Sequence, residues 1–378
     1  MPPRLGIHLF GDYLLPRWQS QFANPWLNSD PAYGPLTNYL PFAVGVFWIF
    51  SNFEYWRSFV AFALLPLVGT IVVLWRALQG EDRVERARFI FSSVVLTAPF
   101  IALLDRGNIQ LYVVWFCCLG THLFIRGRPF AGAVSLGFAI ALKGYPIFFL
   151  ALWIKAKKWS EAAAALVTAG FVSLVPLLLY EGGVIGNLRR LFNNVRFFGN
   201  QYASESIAYN NSLRGTFLTL SQIAPWGLDA VARTFYDNFV VVTAIVVVVG
   251  VGLMLQSTVD DVGRVLIAAA LMTSLIDFSA GYALTVFFVV ITTLPHLSAN
   301  LTRVQCRTLC VLLAIHMMPR GIPLKFWSQE PLGNVATYSS VLGGTVSMLI
   351  IAVVAWSALR ARWARGDLNP HVLANTGT

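Results

Sequence analysis

Residues 103–159 read LLDRGNIQLYVVWFCCLGTHLFIRGRPFAGAVSLGFAIALKGYPIFFLALWIKAKKW, a stretch that is almost wholly apolar. One lysine, Lys143, nevertheless stands inside the apolar run 130–154, with Gly144 and Pro146 close behind it. A charged side chain within a lipid-spanning helix costs about 2.5–3.5 kcal/mol unless it is paired or faces water. Lys143 lies about twelve residues from either end of its run, which is far for its stem to reach the membrane surface. The position therefore favours a functional site, where Lys143 would suit an anionic group such as a phosphate, over a lysine that snorkels.

The composition indicates a polytopic membrane protein. The chain has 378 residues, of which 57% are hydrophobic and 12% are charged, whereas soluble domains carry about 25% charged residues. Its net charge of +10 comes from basic residues that cluster at the ends of apolar runs. Orientation in the membrane and contact with lipid head groups explain this distribution, so no nucleic-acid partner is predicted.

Apolar runs recur along the chain, and several approach the ~20 residues that a membrane-crossing helix needs. They predict an all-α, polytopic transmembrane bundle of about eleven membrane helices, which forms a single integral-membrane domain. The runs cover residues 36–53, 58–78, 88–104, 109–125, 130–154, 160–180, 238–256, 262–278, 280–297, 304–318 and 338–360. The expected organisation is an external loop at 1–35, an N-terminal helix module at 36–180, an external loop at 181–237, C-terminal helices at 238–360 and a cytoplasmic tail at 361–378.

Lysine and arginine in short loops predict the orientation, because such loops favour the cytoplasmic side. If every run crosses, the basic groups that share one face lie at 155–158, 303–307 and 360–365. We expect this face to be the cytoplasmic side of a cell (plasma) membrane. The loops at 76–88 and 126–128 fit less well, and partial or re-entrant helices around 88–142 would remove the conflict. The external N terminus favours a first helix upstream of this sequence.

Other polar residues are ambiguous when only their spacing is considered. Asp12 lies in the N-terminal loop, where a solvated or helix-capping aspartate is a better interpretation than a general base. Tyr33 belongs to the segment 33–41, YGPLTNYLP, which is typical of an aromatic belt at the start of a membrane helix. Asp105 and Arg106 fit an ion pair at a helix end as well as they fit a site.

The predicted external loop at 181–237 mixes basic with aromatic residues. Its arginines include Arg189, Arg190, Arg196 and Arg214. Two interpretations stay open: an interfacial helix that touches lipid phosphates, or an ordinary solvated basic face.

Several familiar catalytic motifs are missing from the sequence. It contains no Walker loop, no HExxH, no GxSxG and no DxD pair. This argues against direct use of a nucleotide-linked donor, and neither a metal nor another cofactor is predicted.

Three motifs give the chain a resemblance to a known family. They are Gly107-Asn108-Ile109-Gln110, the Lys-x-x-Pro pattern at 143–146, and Tyr209-Asn210-Asn211-Ser212. Over roughly residues 10–300 the chain resembles the bacterial integral-membrane mannosyltransferases that make phosphatidylinositol mannosides. That family belongs to the polyprenyl-phosphate-sugar-dependent glycosyltransferases with the C-type fold. The chain departs from the family where Gln and Asn are exchanged in the first motif, and where 277–284 lacks the Trp and His of a late external segment.

The resemblance implies an inverting transfer of a hexose, with mannose expected, from a polyprenyl-phosphate sugar to a lipid or glycan acceptor outside the membrane. It makes Asp12 the catalytic base. It offers as donor- or phosphate-binding residues Lys143, Arg214, Asn108 and Gln110. The acceptor or pocket candidates are Tyr33, Asp105, Asn210 and Ser212. The lipid-linked sugar serves as co-substrate and the surrounding lipids as partners, while the oligomeric state is not predicted.

Other functions stay open at this point. A flippase or transporter of a polyprenyl-linked lipid would also use intramembrane charge and a basic interfacial face, although we see no inverted repeat of the kind common in transporters. A transferase of arabinofuranose or another polyprenyl-phosphate sugar is a closer alternative, and a ligase that uses a diphosphate-linked glycan is a third.

Overall fold

The computed structural model describes residues 10–27, 37–205, 210–223, 227–275, 281–296, 302–318 and 337–364. Within these ranges the chain is helical and forms no β-sheet, which confirms the predicted all-α class. The helices of the first half are α1 Gly11–Gln19, α2 Pro41–Ser51, α3 Tyr55–Ala77, α4 Arg83–Ile90, α5 Ala98–Arg106, α6 Gln110–Ile125, α7 Pro129–Leu142, α8 Leu150–Lys155 and α9 Trp159–Leu179. Those of the second half are α10 Gly183–Glu205, α11 Leu213–Ile223, α12 Leu228–Asp237, α13 Phe239–Leu255, α14 Asp261–Ser274, α15 Arg303–Met317 and α16 Tyr338–Ala364. A π-helical turn covers Phe91–Val95, and 3₁₀ helices cover Tyr145–Phe149 and Gly281–His296.

Three helices among the described residues are long and apolar enough to cross a membrane: Tyr55–Ala77, Trp159–Leu179 and Ser340–Trp363. Two bent pairs raise the number to five if each pair is one span. The chain is thus a multi-pass membrane protein, whereas the count of about eleven spans stays a prediction.

The two bent pairs lie in regions for which the sequence predicts different structures: partial helices around 88–142 and an external loop at 181–237. Arg83–Val95 and Ala98–Arg106 meet at 63°, which agrees with a partial or broken helix around 88–142. Leu228–Asp237 and Phe239–Leu255 meet at 82°. The predicted external loop at 181–237 therefore contains three helices, α10 to α12, and passes by a sharp bend into α13.

The sequence predicted one helix over 130–154, and this is wrong. α7 ends at Leu142, Lys143 is extended with φ −151° and ψ 120°, and the chain resumes as a 3₁₀ helix at Tyr145. Pro146 explains the break, because in a continuous helix it would have no N–H to donate to the carbonyl oxygen of Leu142 and its ring would clash with that carbonyl. Lys143 therefore lies at a helix end and not in the middle of a continuous helix.

The centre of the bundle is α14, in which all side chains from Val262 to Ser274 are buried. A helix that is buried on every face needs neighbours all round, and α14 packs against α8, α13, α16 and both 3₁₀ helices.

The antiparallel hairpin of α6 and α7 brings the start of α6 close to the end of α7. A Cβ atom at Gly132 would lie 2.6 Å from the carbonyl oxygen of Gly120 on the facing helix. Only glycine allows such an approach of two backbones, as in other close membrane-helix pairs. Because the two helices run in opposite directions, the start of α6 lies beside the end of α7, and residues 107–110 come next to Lys143.

Candidate active site

The first helix, α1, is fastened to the helical bundle by its first turns. The Phe10 N–H donates to the carbonyl oxygen of Asp105 at 2.7 Å. The Tyr13 hydroxyl donates to Ser58 Oγ at 2.7 Å, with Tyr13 fully buried. Asp12, in the first turn of α1, is thereby held over the C-terminal end of α5.

Gly107 forms the turn that lets α1 approach the end of α5. Its φ is +61°, in the left-handed region that glycine adopts without strain. A Cβ atom there would lie 2.9 Å from the Cβ of Tyr13 and 2.9 Å from a ring carbon of Phe59. With the turn in this conformation, Arg106 and Asn108, on either side of it, both reach Asp12.

The Asp12 carboxylate is held at both oxygens. Arg106 donates to Oδ1 through Nη2 at 2.6 Å and through Nε at 3.2 Å, and Asn108 Nδ2 donates to Oδ2 at 2.8 Å. Only 14% of the Asp12 side chain is exposed. Charge-assisted hydrogen bonds of this kind stabilise an ionised carboxylate and fix its direction.

Asn108 joins the carboxylate to Lys143. Its side-chain oxygen accepts from Lys143 Nζ at 3.2 Å and from the Gln110 backbone N–H at 2.9 Å, while its amide nitrogen donates to Asp12. Asn108 is 2% exposed. One buried amide thus sets a carboxylate and an ammonium group a single side chain apart, which is an arrangement suited to acid–base chemistry beside an anion.

Two tyrosines that the sequence did not single out complete this cluster. The Tyr145 hydroxyl donates to the Gln110 side-chain oxygen, and Lys143 Nζ lies 5.8 Å from the centre of the Tyr145 ring. Tyr39, just ahead of α2, lies within electrostatic range of Asp12 and Arg106. Tyr145 lies within the Lys-x-x-Pro pattern at 143–146, and Tyr39 lies in the aromatic segment 33–41. Their position in these motifs is the sequence signal that could have identified both tyrosines.

The structure brings together four of the predicted residues, Asp12, Asn108, Gln110 and Lys143. Asp105 adjoins them through its backbone carbonyl, which accepts from Phe10. The Asp105 carboxylate itself makes no hydrogen bond or ion pair within the described part of the chain.

The interpretation of Asp105 and Arg106 as an ion pair is wrong, because Arg106 pairs with Asp12. The interpretation of Asp12 as a solvated residue is equally wrong, since most of its side chain is buried in this pair.

The remaining predicted residues that the structure describes lie in a second cluster around α11. The side-chain oxygen of Asn210 accepts from the Ser212 N–H at 3.0 Å, and both residues are fully buried. The Arg214 guanidinium lies 5.1 Å from the centre of the Tyr236 ring and stacks near Phe239 as well. Tyr33 lies outside the described residues.

A clamp of asparagines ties α10 to the N-terminal segment that carries Asp12. Asn24 Nδ2 donates to Asn187 Oδ1 at 2.7 Å. Asn194 Nδ2 donates to the carbonyl oxygens of Trp26 at 3.1 Å and Thr37 at 3.0 Å. Sequence reasoning missed this clamp, because it assigned α10 to lipid or solvent contact. The exposed face of α10 still mixes Arg189 and Arg196 with apolar side chains, whereas its other face bonds to Asn24, Trp26 and Thr37.

The donor set at the site is one carboxylate with amide, guanidinium, ammonium and phenol groups. Among the described residues, no group of three or more His, Cys, Asp or Glu side chains could hold a metal ion.

The fold and the cluster together define an all-α, multi-pass membrane protein with a buried carboxylate linked to a lysine. The comparison with protein families is more specific: the model of glycosyltransferase family 87 matches residues 37–279, more than half of the chain. The chain therefore belongs to glycosyltransferase family 87 and is a membrane glycosyltransferase. No curated protein and no solved structure matches it. The matched range includes Asn108, Lys143 and Arg214, whereas Asp12 precedes it.

Proposed function

We propose that the chain transfers a hexose, with mannose as the first candidate, from a polyprenyl-phosphate sugar to a lipid or glycan acceptor on the outer side of the cell membrane. Membership of a glycosyltransferase family supports the transfer. The observation that carries the proposed mechanism is the chain of contacts from Asp12 through Asn108 to Lys143. Mannose and the lipid-phosphate donor rest on the sequence motifs at 107–110 and 143–146.

In this mechanism Asp12 is the general base. Its carboxylate takes the proton from the acceptor hydroxyl as the hydroxyl oxygen attacks the anomeric carbon of the sugar. The bond from that carbon to the phosphate oxygen breaks, and the electron pair leaves with the polyprenyl phosphate. Attack from the side opposite the phosphate inverts the anomeric configuration.

Lys143 stabilises the charge that develops on the departing phosphate. A fixed ammonium group in a partly dehydrated site is worth more there than in water. Asn108 keeps the base and the cation at a constant separation, and Arg106 keeps the Asp12 carboxylate oriented. The proposal assigns charge stabilisation to these side chains and calls for no cofactor.

The other residues keep less specific proposed roles. Gln110, held by Tyr145, is proposed to contact the donor, and so is Arg214. Asn210 and Ser212 are proposed to line the acceptor or pocket side, together with Tyr33 and Asp105. For Arg214 the cation–π stack on Tyr236 would have to open before its charge could reach a donor.

The test is an assay of the purified full chain in lipid vesicles. Polyprenyl-phosphate mannose with a radiolabelled sugar is supplied in parallel with the arabinofuranose analogue and with a nucleotide-linked mannose, and labelled glycolipid is extracted. The proposal expects transfer from the mannose lipid alone. Transfer from the arabinofuranose lipid would replace mannose by arabinofuranose as the transferred sugar. Transfer from the nucleotide-linked mannose would overturn the proposed class of donor. Translocation of the lipid without transfer would support a flippase.

A further inference from the structure

A groove between α15 and α16 lies apart from the proposed active site. It encloses about 710 Å³ and is lined by both helices, with Arg303 and Gln305 on α15 and Leu349, Val353, Trp356 and Arg360 on α16. Most of its wall on α16 is apolar, and Trp356 is 64% exposed. The groove therefore offers an apolar trough that ends in polar and basic residues.

The polar end of the groove coincides with the N-terminus of α15. Thr302 caps this helix in a reciprocal capping box with Gln305, in which Gln305 Oε1 accepts from the Thr302 N–H at 2.9 Å. The N-terminus of an α-helix attracts anions, because its first N–H groups point outward and the helix dipole is positive there.

Gln305 supplies an independent sign that a ligand binds here. Its side chain is only 7% exposed, and its Nε2 atom is buried without an acceptor within the described structure. A buried amide donor costs free energy unless an acceptor is supplied. Since the capping contact fixes the orientation of the amide, Nε2 is the atom that needs an oxygen.

The charge of the groove is positive. Arg303 and Arg360 both line it and are exposed, and neither forms an ion pair with the residues that the structure describes. The lining residues include no carboxylate. The complementary ligand is an anion with several acceptor oxygens and an apolar tail.

The position along α16 places this anion site at a membrane boundary. Near the start of α16, Gly343 packs against the backbone of Asn211. Arg360 lies about 25 Å further along the axis at 1.5 Å per residue, which is close to the ~30 Å thickness of a hydrocarbon core. Basic pockets between membrane helices on the cytoplasmic side bind anionic lipid head groups, and the sequence predicted the cytoplasmic side for this end.

We propose that the groove between α15 and α16 is a binding site for an anionic phospholipid. The lipid phosphate accepts from Gln305 Nε2 and from the arginines Arg303 and Arg360. One acyl chain lies along Leu349, Val353 and Trp356. This site is independent of the transfer reaction and of the identity of the sugar donor.

The test measures lipid binding to the purified full chain by native mass spectrometry in detergent. Phosphatidylglycerol and phosphatidylcholine with the same acyl chains are titrated separately. The proposal expects one phosphatidylglycerol to bind preferentially, and an Arg303→Gln/Arg360→Gln double variant to bind it about 30-fold more weakly. The matched control is Arg83→Gln/Arg88→Gln, which removes two exposed arginines that do not line the groove and should leave the affinity unchanged.

A second variant tests the buried amide without removing the helix cap. Gln305→Glu keeps the oxygen that accepts from Thr302, and glutamate is a natural member of a capping box. It replaces the amide donor by a negative oxygen and should weaken phosphatidylglycerol binding at least about 10-fold. Equal binding of both lipids, or unchanged affinity in the arginine double variant, would overturn the proposal. Displacement of phosphatidylglycerol by an equimolar polyprenyl monophosphate would also overturn it, because the groove would then belong to the donor lipid.

Discussion

At the scale of single residues, the site depends on Asn108. Its amide nitrogen donates to the Asp12 carboxylate, and its amide oxygen accepts from the Lys143 ammonium group. A buried amide that satisfies both partners fixes their separation more firmly than two flexible charged side chains could by themselves. Arg106 adds a second contact on Asp12, so the carboxylate has little freedom to turn.

Replacement of Lys143 tests its proposed role toward the donor. Lys143→Gln should lower the transfer rate at limiting donor about 10–100-fold, the value of one charge-assisted hydrogen bond. The matched control is Lys157→Gln, at an exposed lysine beyond α8. Initial rates against donor concentration measure the effect. An equal loss in both variants, or none in Lys143→Gln, would contradict the role.

The sequence singled out several residues of this cluster but not their partners. Lys143 was identified because a charge in an apolar run is costly, and Asn108 because of its motif. Arg106 was placed with its neighbour Asp105, yet it pairs with Asp12, 94 residues away in the sequence. The pairing depends on the left-handed turn at Gly107 and on how α1 packs there, which a single sequence does not reveal.

At the scale of structural elements, the turn at Gly107 determines how closely α1 approaches α5. Gly107→Ala adds a Cβ atom 2.9 Å from Tyr13 and from Phe59, at a positive φ. We expect it to cost about 2–4 kcal/mol of stability through backbone strain and overpacking, and to reduce activity. Gly127→Ala is the control, because Gly127 has φ +75° and open space around it. It should cost only the strain, about 1–2 kcal/mol. Thermal unfolding in detergent compares the two, and equal shifts would disprove the close approach.

The clamp between α10 and the N-terminal segment gives a second prediction for an element. Asn194→Ala leaves the carbonyl oxygens of Trp26 and Thr37 without their donor. It should destabilise the protein by about 1–3 kcal/mol. Asn193→Ala changes the adjacent exposed residue and should stay within about 0.5 kcal/mol. Thermal melting in one detergent provides the comparison, and a neutral Asn194→Ala would show that the clamp is not structural.

Element boundaries were predictable where hydropathy changes and not where it is continuous. The run 130–154 is apolar throughout, so hydropathy predicted one helix, whereas Gly144 and Pro146 mark the break that the structure has after Leu142. Conversely, α10 to α12 are mixed in polarity and were assigned to a loop. Gly144 and Pro146 indicate the helix break locally, whereas hydropathy averaged over the whole run does not register single residues.

At the scale of the whole molecule, α9 should separate the two sides of the membrane. Lys157 precedes this candidate span, and Asn193 follows it on α10. In a background without the four native cysteines, Asn193→Cys should react with an impermeant thiol reagent in intact cells. Lys157→Cys should react only after permeabilisation, because basic loops favour the cytoplasm. Labelling of both from outside would contradict this topology.

The overall class was predictable because composition and apolar runs are global properties. The all-α membrane bundle follows from them, and the family match agrees with it. The number of spans did not follow as directly, because several apolar helices are shorter than a span and two pairs are bent. Whether a short helix crosses depends on the neighbours it packs against, which hydropathy does not describe.

The central claim is that Asp12 is the base of a transfer from a polyprenyl-phosphate sugar, and Asp12→Asn tests it most directly. The amide keeps the size of the side chain but cannot take a proton from the acceptor. The control is Asp229→Asn, an exposed aspartate in the first turn of α12. With purified protein in lipid and radiolabelled donor, we predict at least about 100-fold slower transfer for Asp12→Asn and full activity for the control. Asp12→Asn should melt at a lower temperature but stay folded, because its amide cannot accept from both Arg106 and Asn108. Transfer by a folded Asp12→Asn variant at a rate near that of the control would contradict the account.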